Sequence, residues 1–194
     1  MLRALEKERH VLLNQRGSKK MENYPWYKLV DNHEKLMQGD FINNCPIVVP
    51  PSEITDKPET EIIEYDVIIM SQSCDLVQEK LELVLVCPVF LLREFEEKSD
   101  FFKSTKGKEA LRQGNVPGYH LLNKCRIEDF ERDFLVVDFR SVYSVPFVFL
   151  KEYCQKIHKR LRLLPPYREH LSQAFARFFM RVGLPVDIPR FKKK

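Results

Sequence analysis

The sequence places a group of small polar side chains directly after an apolar stretch. Residues 67–70 are apolar, and they lead into Ser71, Ser73, Cys74 and Asp75. A strand that ends in such residues presents them on a rigid scaffold at the edge of a cleft. A cysteine nucleophile requires a lowered pKa and a histidine base, and a carboxylate such as that of Asp75 can orient the base. The segment is therefore a candidate catalytic site.

His120 is the histidine that we expect to complete this site, because it is the one that lies in a predicted strand, at 119–122. The candidate catalytic set is thus Ser71, Ser73, Cys74, Asp75 and His120. A structural interpretation stays open beside the catalytic one. A cysteine after a buried strand is often a small core residue, and the aspartate side chain can cap the following turn.

No motif in the sequence indicates a metal or a cofactor. None of the five cysteines forms a CxxC pair, and the five histidines match neither HxxxH nor HExxH, so we expect no zinc site. The six glycines fit neither GxGxxG nor GxxxxGK[ST]. This spacing argues against a Rossmann or P-loop nucleotide site, and no cofactor is expected.

Charge is distributed unevenly along the chain. Residues 151–194 contain twelve Lys and Arg against three acidic residues, a net charge of +9, and residues 1–20 have a net charge of +4. Because the whole chain has a net charge of +4, residues 21–150 must carry −9. A basic terminal region attracts polyanions such as RNA or DNA. It could also be a solvated helix face, or dock on a protein partner or a second copy of the chain.

Basic residues near the C-terminus are candidates for contact with nucleic-acid phosphates. They are Lys156, Lys159, Arg160, Arg162, Arg168, Arg177, Arg181, Lys192, Lys193 and Lys194. Tyr153, Tyr167 and Phe191 are interleaved with them and could stack on the bases of a single strand. If the same aromatic residues are buried, they are instead part of the ordinary packing of the core.

The elements that must position these residues are predicted from hydrophobic periodicity and from Gly and Pro signals. Strands are predicted at 41–49, 62–70, 81–90, 119–122, 134–139 and 142–150. Helices are predicted at 2–16, 28–37, 106–113 and 151–160, and from the Pro165-Pro166 pair to Gly183. The continuous apolar runs in the second and third strands are typical of strands buried on both faces.

These elements predict an α+β fold, with a small SH3-like antiparallel β-barrel or curled sheet and C-terminal helices packed on it. Residues 1–20 form a basic helical N-terminal extension or precede the true start, since Met21 opens the compact region. Residues 21–150 form the β-rich barrel-like domain. Residues 151–194 form a basic helical segment and tail that pack on the same domain.

The chain has neither a membrane span nor a secretory signal. Its longest apolar run, residues 83–92, is shorter than the roughly 20 residues that a helix needs to cross a bilayer. Residues 1–20 alternate charge with leucine and lack the apolar core of a signal peptide. We therefore expect a cytoplasmic protein whose cysteines are thiols.

Two segments carry a family resemblance. Residues 38–42 (Gln-Gly-Asp-Phe-Ile) and 66–73 resemble the first half of PemK/MazF-like toxins, and residues 71–76 (Ser-Gln-Ser-Cys-Asp-Leu) are similar to a segment that marks a set of bacterial proteins without an established activity. The toxin resemblance implies an SH3-like barrel with a concave RNA-binding face and metal-independent ribonuclease chemistry. This chain has Tyr65-Asp66 where those toxins carry Arg-Pro, so a basic residue of their site is replaced.

Three functions follow as expectations. The first is a cytoplasmic nucleic-acid-binding or regulatory module whose basic C-terminal region contacts phosphate. The second is a ribonuclease toxin-like enzyme with its site at Ser71 to Asp75, in which His120 or a C-terminal arginine supplies acid catalysis or stabilises charge. The third is a docking subunit of a larger protein assembly, held by the opposite charges of its two regions.

Overall fold

The structure, a computed structural model, describes residues 24–51, 53, 56 and 60–180. The predicted helix at 2–16 and the basic extension over 1–20 lie outside these residues, as do Arg181, Lys192, Lys193 and Lys194. Within the described ranges, no helix is both long enough and apolar enough to cross a membrane.

The described residues form eight strands and six helices. The strands are β1 (Tyr27–Asp31), β2 (Phe41–Val49), β3 (Glu61–Ile69), β4 (Leu83–Leu91), β5 (Tyr119–Leu122), β6 (Leu135–Asp138), β7 (Tyr143–Pro146) and β8 (Lys159–Leu163). The helices are α1 (Ser73–Val77), α2 (Leu92–Lys98), α3 (Asp100–Lys103), α4 (Thr105–Arg112), α5 (Phe147–Lys156) and α6 (Tyr167–Phe179). The fold is therefore α+β, as predicted.

Six of the strands form an antiparallel sheet in the order β2-β3-β4-β6-β5, and β7 pairs with the first half of β4. Strands β1 and β8 form a separate antiparallel pair. A single bridge between Asp40 and Arg162 brings β8 to the residue just before β2. Among the described strands, the pairing runs from β2 to β5 without closing into a barrel.

The central strands are buried on both faces. On β3, Ile68 contributes to one core cluster, together with Leu171 of α6. Its neighbours Val67 and Ile69 contribute to a second cluster, together with Leu150 of α5. Alternate residues of a strand point to opposite faces, so each face of this sheet needs its own helical cover. The continuous apolar runs predicted this two-sided burial, and it is confirmed.

Three predicted elements differ from the structure. The helix predicted at 28–37 is replaced by β1 and a turn, and residues 159–160 of the helix predicted at 151–160 belong to β8. The strand predicted at 142–150 ends at Pro146, where α5 begins. Short apolar runs fit a strand or a helix equally well, and here tertiary pairing decides between them.

Helix α6 covers one face of the sheet with apolar side chains spaced three and four residues apart. Leu171 is fully buried, and Phe175 and Phe178 pack against the same core cluster. Phe179 is 61% exposed, although its ring meets those of Phe175 and Phe178 edge to face. The other side of the helix is exposed and carries His170, Gln173 and Arg177.

Candidate nucleic-acid interface

The serines after β3 serve as hydrogen-bond acceptors for the main chain. Ser71 Oγ accepts a hydrogen bond of 2.8 Å from the amide of Leu85, and Ser73 Oγ accepts one of 3.1 Å from the amide of Gln38. The Gln38 side chain donates to the carbonyl of Met70 at 2.7 Å. These bonds join the end of β3 to the start of β4 and to the segment before β2, which is a structural role.

Cys74 is exposed at the start of α1, and its sulfur lies 3.7 Å from Oδ1 of Asp75. Across the described residues, this carboxylate is the one recorded hydrogen-bond partner of the thiol. A cysteine nucleophile needs a base that takes its proton. The local structure therefore presents a thiol beside a carboxylate, without the histidine that the sequence interpretation required.

His120 lies elsewhere on the sheet. It is on β5, which pairs with β6, and β6 in turn pairs with β4 near Val89. Ser71 bonds to β4 at Leu85, four residues or about 13 Å away along the strand. The two strand spacings from β4 to β5 add about 5 Å each. The structure does not bring His120 to the segment that contains Cys74.

His120 instead lines a cleft between β5, the end of α4 and α6. We call this space, of about 320 Å³, the histidine–arginine cleft. No Asp or Glu is among its lining residues in the described part of the chain. Its polar lining consists of Arg112, Gln113, Tyr119, His120, His170, Gln173 and Arg177.

The ring of His120 packs against that of Phe139, with 6.2 Å between centroids. Burial, and after it the nearby charges of His170 and Arg177, lower the pKa of His120 to about 4. At neutral pH its imidazole is therefore uncharged, with one nitrogen that donates a hydrogen bond and one that accepts.

The two arginines of the cleft are both exposed, but they differ in pairing. Arg112 places its Nε 2.7 Å from a carboxylate oxygen of Glu109, an ion pair on the surface of α4. Arg177 makes a long bond of 3.4 Å from Nε to the carbonyl of Gln173 within α6. Arg177 is thus the cleft arginine whose charge no carboxylate neutralises within the described residues.

Two other arginines from the predicted phosphate-binding set are buried. Arg160 is 3% exposed and Arg162 is 5% exposed. Both bind the carboxylate of Asp40, which is fully buried: Arg160 Nε donates at 2.8 Å, and Arg162 donates through both Nε and Nη2. The guanidinium groups also donate to the main-chain carbonyls of Asp31, Glu34 and Lys35, and Arg162 Nη1 donates to the Glu34 carboxylate at 3.2 Å. Because their forks are occupied inside the fold, these two residues are not surface contacts for phosphate, and the prediction for them is corrected.

The other basic residues of that set are dispersed. Lys156 and Lys159 are exposed at the end of α5 and the start of β8. Arg168 forms an ion pair of 2.7 Å with Glu169. Of the predicted set, Arg177 is the member that lines the histidine–arginine cleft within the described part of the chain.

The sequence interpretation missed His170 as a partner of His120. A signal for it existed, because His170, Gln173 and Arg177 are spaced three and four residues apart on α6. That spacing places their side chains on one face of a helix. The histidine lies on the polar face of a helix whose arginines alone were predicted to contact phosphate.

Comparison with models of protein families, with curated proteins and with solved structures finds no match for this chain. Among the described residues, no group of three or more His, Cys, Asp and Glu side chains is arranged to hold a metal ion.

Proposed function

We propose that the protein binds nucleic acid and that the histidine–arginine cleft contacts the phosphate backbone. The observation that carries the proposal is the cleft lining: Arg177 is exposed, His120 and His170 lie beside it, and carboxylates are absent from the lining among the described residues. An arginine fork matches the geometry of phosphate oxygens, and imidazole and amide N–H groups add further donors.

The charge of the chain supports the same proposal. Residues 151–194, which include α6, have a net charge of +9. Such a region raises the local concentration of a polyanion and speeds its association. Lys156 and Lys159 contribute through this general field, since they lie outside the cleft.

We also propose that the curled sheet is of the SH3-like type found in PemK/MazF-like proteins, and that the protein works in the cytoplasm. The bridge from Arg162 on β8 to Asp40 before β2 supports the curled arrangement. The buried cysteines, which are free thiols, support a reducing compartment. They are Cys45, Cys87, Cys125 and Cys154.

A titration across a salt series tests the binding proposal. Fluorescence anisotropy of a labelled single-stranded RNA is measured with the native chain and with two variants that each remove one positive charge, Arg177→Gln in the cleft and Lys80→Gln on the exposed loop after α1. The logarithm of the binding affinity falls linearly as the logarithm of the salt concentration rises. Arg177→Gln lowers the slope by about one, and Lys80→Gln leaves it unchanged.

If the native chain does not bind the RNA at low salt, the proposal is refuted. If the copies associate with each other at low salt without RNA affinity, the docking function takes its place. Equal slopes for the two variants would remove the cleft from the contact surface.

RNA cleavage in the same cleft is a second candidate, favoured by two histidines that line it together with Arg177, the cleft arginine without a carboxylate partner among the described residues. A neutral imidazole can accept the proton of a ribose 2′-hydroxyl while its oxygen attacks the adjacent phosphorus. A general acid such as an imidazolium can protonate the 5′-oxygen as its bond to phosphorus breaks. The arginine would stabilise the developing charge on phosphate.

Gel analysis of labelled RNA tests this second candidate, with a DNA strand of the same sequence as the control because it lacks the 2′-hydroxyl. Cleavage at the cleft is abolished by His170→Gln and retained in Cys74→Ala. The reverse pattern would place the catalytic site at Ser71 to Asp75, and intact RNA with the native chain would leave binding alone.

A further inference from the structure

A second cavity, of about 370 Å³, lies next to the histidine–arginine cleft. Its walls are the aromatic rings of Phe90, Phe95, Phe102 and Tyr119, and we call it the aromatic cavity. The rings of Phe95, Phe102 and Tyr119 meet edge to face, with centroids 5.0 to 5.6 Å apart. Its volume falls in the range of about 300–1,000 Å³ that is usual for small-ligand sites.

The polar residues that line this cavity are Glu94, Lys98, Ser99, Asp138 and Arg140. Arg140 donates from Nε and Nη2 to the two carboxylate oxygens of Asp138, at 3.1 and 3.0 Å. Asp138 is 6% exposed, whereas the side chain of Arg140 is 59% exposed. The guanidinium lies over the ring of Tyr119, 4.4 Å from its centroid. A buried carboxylate and an aromatic face therefore hold a planar cation in one orientation at the cavity.

The third guanidinium nitrogen of Arg140, Nη1, has no hydrogen bond within the described residues. It remains available to an acceptor on a ligand, such as a base carbonyl or a phosphate oxygen. Fixing the other two nitrogens beforehand reduces the entropy that binding would cost.

The aromatic cavity and the histidine–arginine cleft share a wall. Tyr119 lines both, and His120, the next residue, lines the cleft. Gly118 keeps this junction closely packed: a Cβ atom there would lie 3.2 Å from Arg140 Cδ and 3.9 Å from a ring carbon of Phe178 on α6. Successive residues of a strand point to opposite faces, so the cavity and the cleft lie on the two sides of the edge strand β5, and Tyr119 is the one described residue that lines both.

We propose that the aromatic cavity receives one unpaired base of a single strand whose phosphates lie in the histidine–arginine cleft. This inference rests on the proposed function. Every base has a π-face that stacks on aromatic rings, so stacking adds affinity without demanding one sequence. A paired base inside a duplex is stacked on its neighbours and cannot enter the cavity. The substrate class is accordingly single-stranded nucleic acid.

Two RNA oligomers of equal length and charge test this inference. One is a single-stranded uridine oligomer, and the other carries abasic riboses at every position. Both are titrated by anisotropy at one fixed low salt concentration. The abasic oligomer binds about tenfold more weakly, because base stacking on aromatic side chains is lost.

The outcomes separate the two proposals. Equal affinity for the two oligomers overturns the base pocket and leaves the phosphate contact standing. No binding of either oligomer overturns the proposed function, and the inference falls with it. Because this comparison changes only the ligand, it does not depend on any variant folding.

A second arm uses the protein side. Arg140→Lys keeps the charge but loses the planar fork, and Arg126→Lys is the matched change at an exposed arginine outside both spaces. Arg140→Lys reduces the ratio of uridine-oligomer affinity to abasic-oligomer affinity, and Arg126→Lys leaves this ratio as it is. An unchanged ratio in Arg140→Lys would show that Arg140 takes no part in holding the base.

Discussion

The buried carboxylate of Asp40 allows one prediction to be developed quantitatively. Asp40 is fully buried and accepts hydrogen bonds from Arg160 and Arg162, which are 3% and 5% exposed. Asp40→Asn keeps the shape of the side chain but removes its negative charge. Two guanidinium groups then stay inside the fold, and the carboxylate contact that remains to them is that of Arg162 Nη1 with Glu34 Oε2 at 3.2 Å.

The expected loss of stability is large. Removing one partner of a buried ion pair costs about 3–5 kcal/mol, because the other charge stays desolvated. Main-chain carbonyls of Asp31, Glu34 and Lys35 and the Glu34 carboxylate still accept from the two arginines. We therefore expect Asp40→Asn to cost about 3–5 kcal/mol, although both arginines lose their contact with the Asp40 charge. A domain of this kind has a total free energy of unfolding of about 5–15 kcal/mol.

Urea denaturation followed by the fluorescence of Trp26, the single tryptophan, measures this loss. Asp31→Asn is the matched control, because Asp31 is exposed and accepts from Arg160 through its main-chain carbonyl. We expect the control to change stability by less than about 0.5 kcal/mol. If Asp40→Asn lowered the free energy of unfolding no more than the control does, the buried ion pairs of Asp40 would not stabilise the fold as stated.

Two further predictions concern the candidate site. Ser71→Ala removes the acceptor of the Leu85 amide and should lower the free energy of unfolding, measured by urea denaturation, by about 1–3 kcal/mol. Cys74→Ala, at an exposed position, should lower it by less than about 0.5 kcal/mol. A larger loss for Cys74→Ala than for Ser71→Ala would contradict the structural role of the serine. Burial lowers the pKa of His120 from 6.5 to about 4, so the unfolded chain takes up a proton below about pH 6.5 and the folded chain does so only near pH 4. The free energy of unfolding should therefore fall by about 3 kcal/mol between pH 7 and pH 4, and His120→Leu should remove this part of the pH dependence, while an unchanged profile would contradict it.

Much of the sheet could be predicted from the sequence because its central strands are continuous apolar runs. The strands predicted at 41–49 and 62–70 match β2 and β3 almost to the residue, because both segments are rich in Val and Ile. The pair β1 and β8 was missed. It joins residues 27–31 to 159–163, and nothing local in either segment indicates the other.

The same long-range contact explains the error over the basic residues. Arg160 and Arg162 alternate with leucine in a charged segment, which is the pattern of a surface strand or helix. Their burial depends on Asp40, some 120 residues earlier in the chain. By contrast, the spacing of His170 and Arg177 on α6 is a local signal in the sequence for a polar helix face beside His120. The sequence holds no such signal for the separation of His120 from Cys74.

The most direct test of the cleft as the binding surface is a histidine-selective NMR titration with single-stranded RNA. His120 and His170 line the cleft, whereas His33 and His158 are exposed outside it. We expect the imidazole signals of His120 and His170 to shift as RNA is added, and those of His33 and His158 to stay in place. If the signal of His158 shifted and that of His120 did not, RNA would bind between α5 and β8, and the proposal that the cleft binds RNA would be wrong.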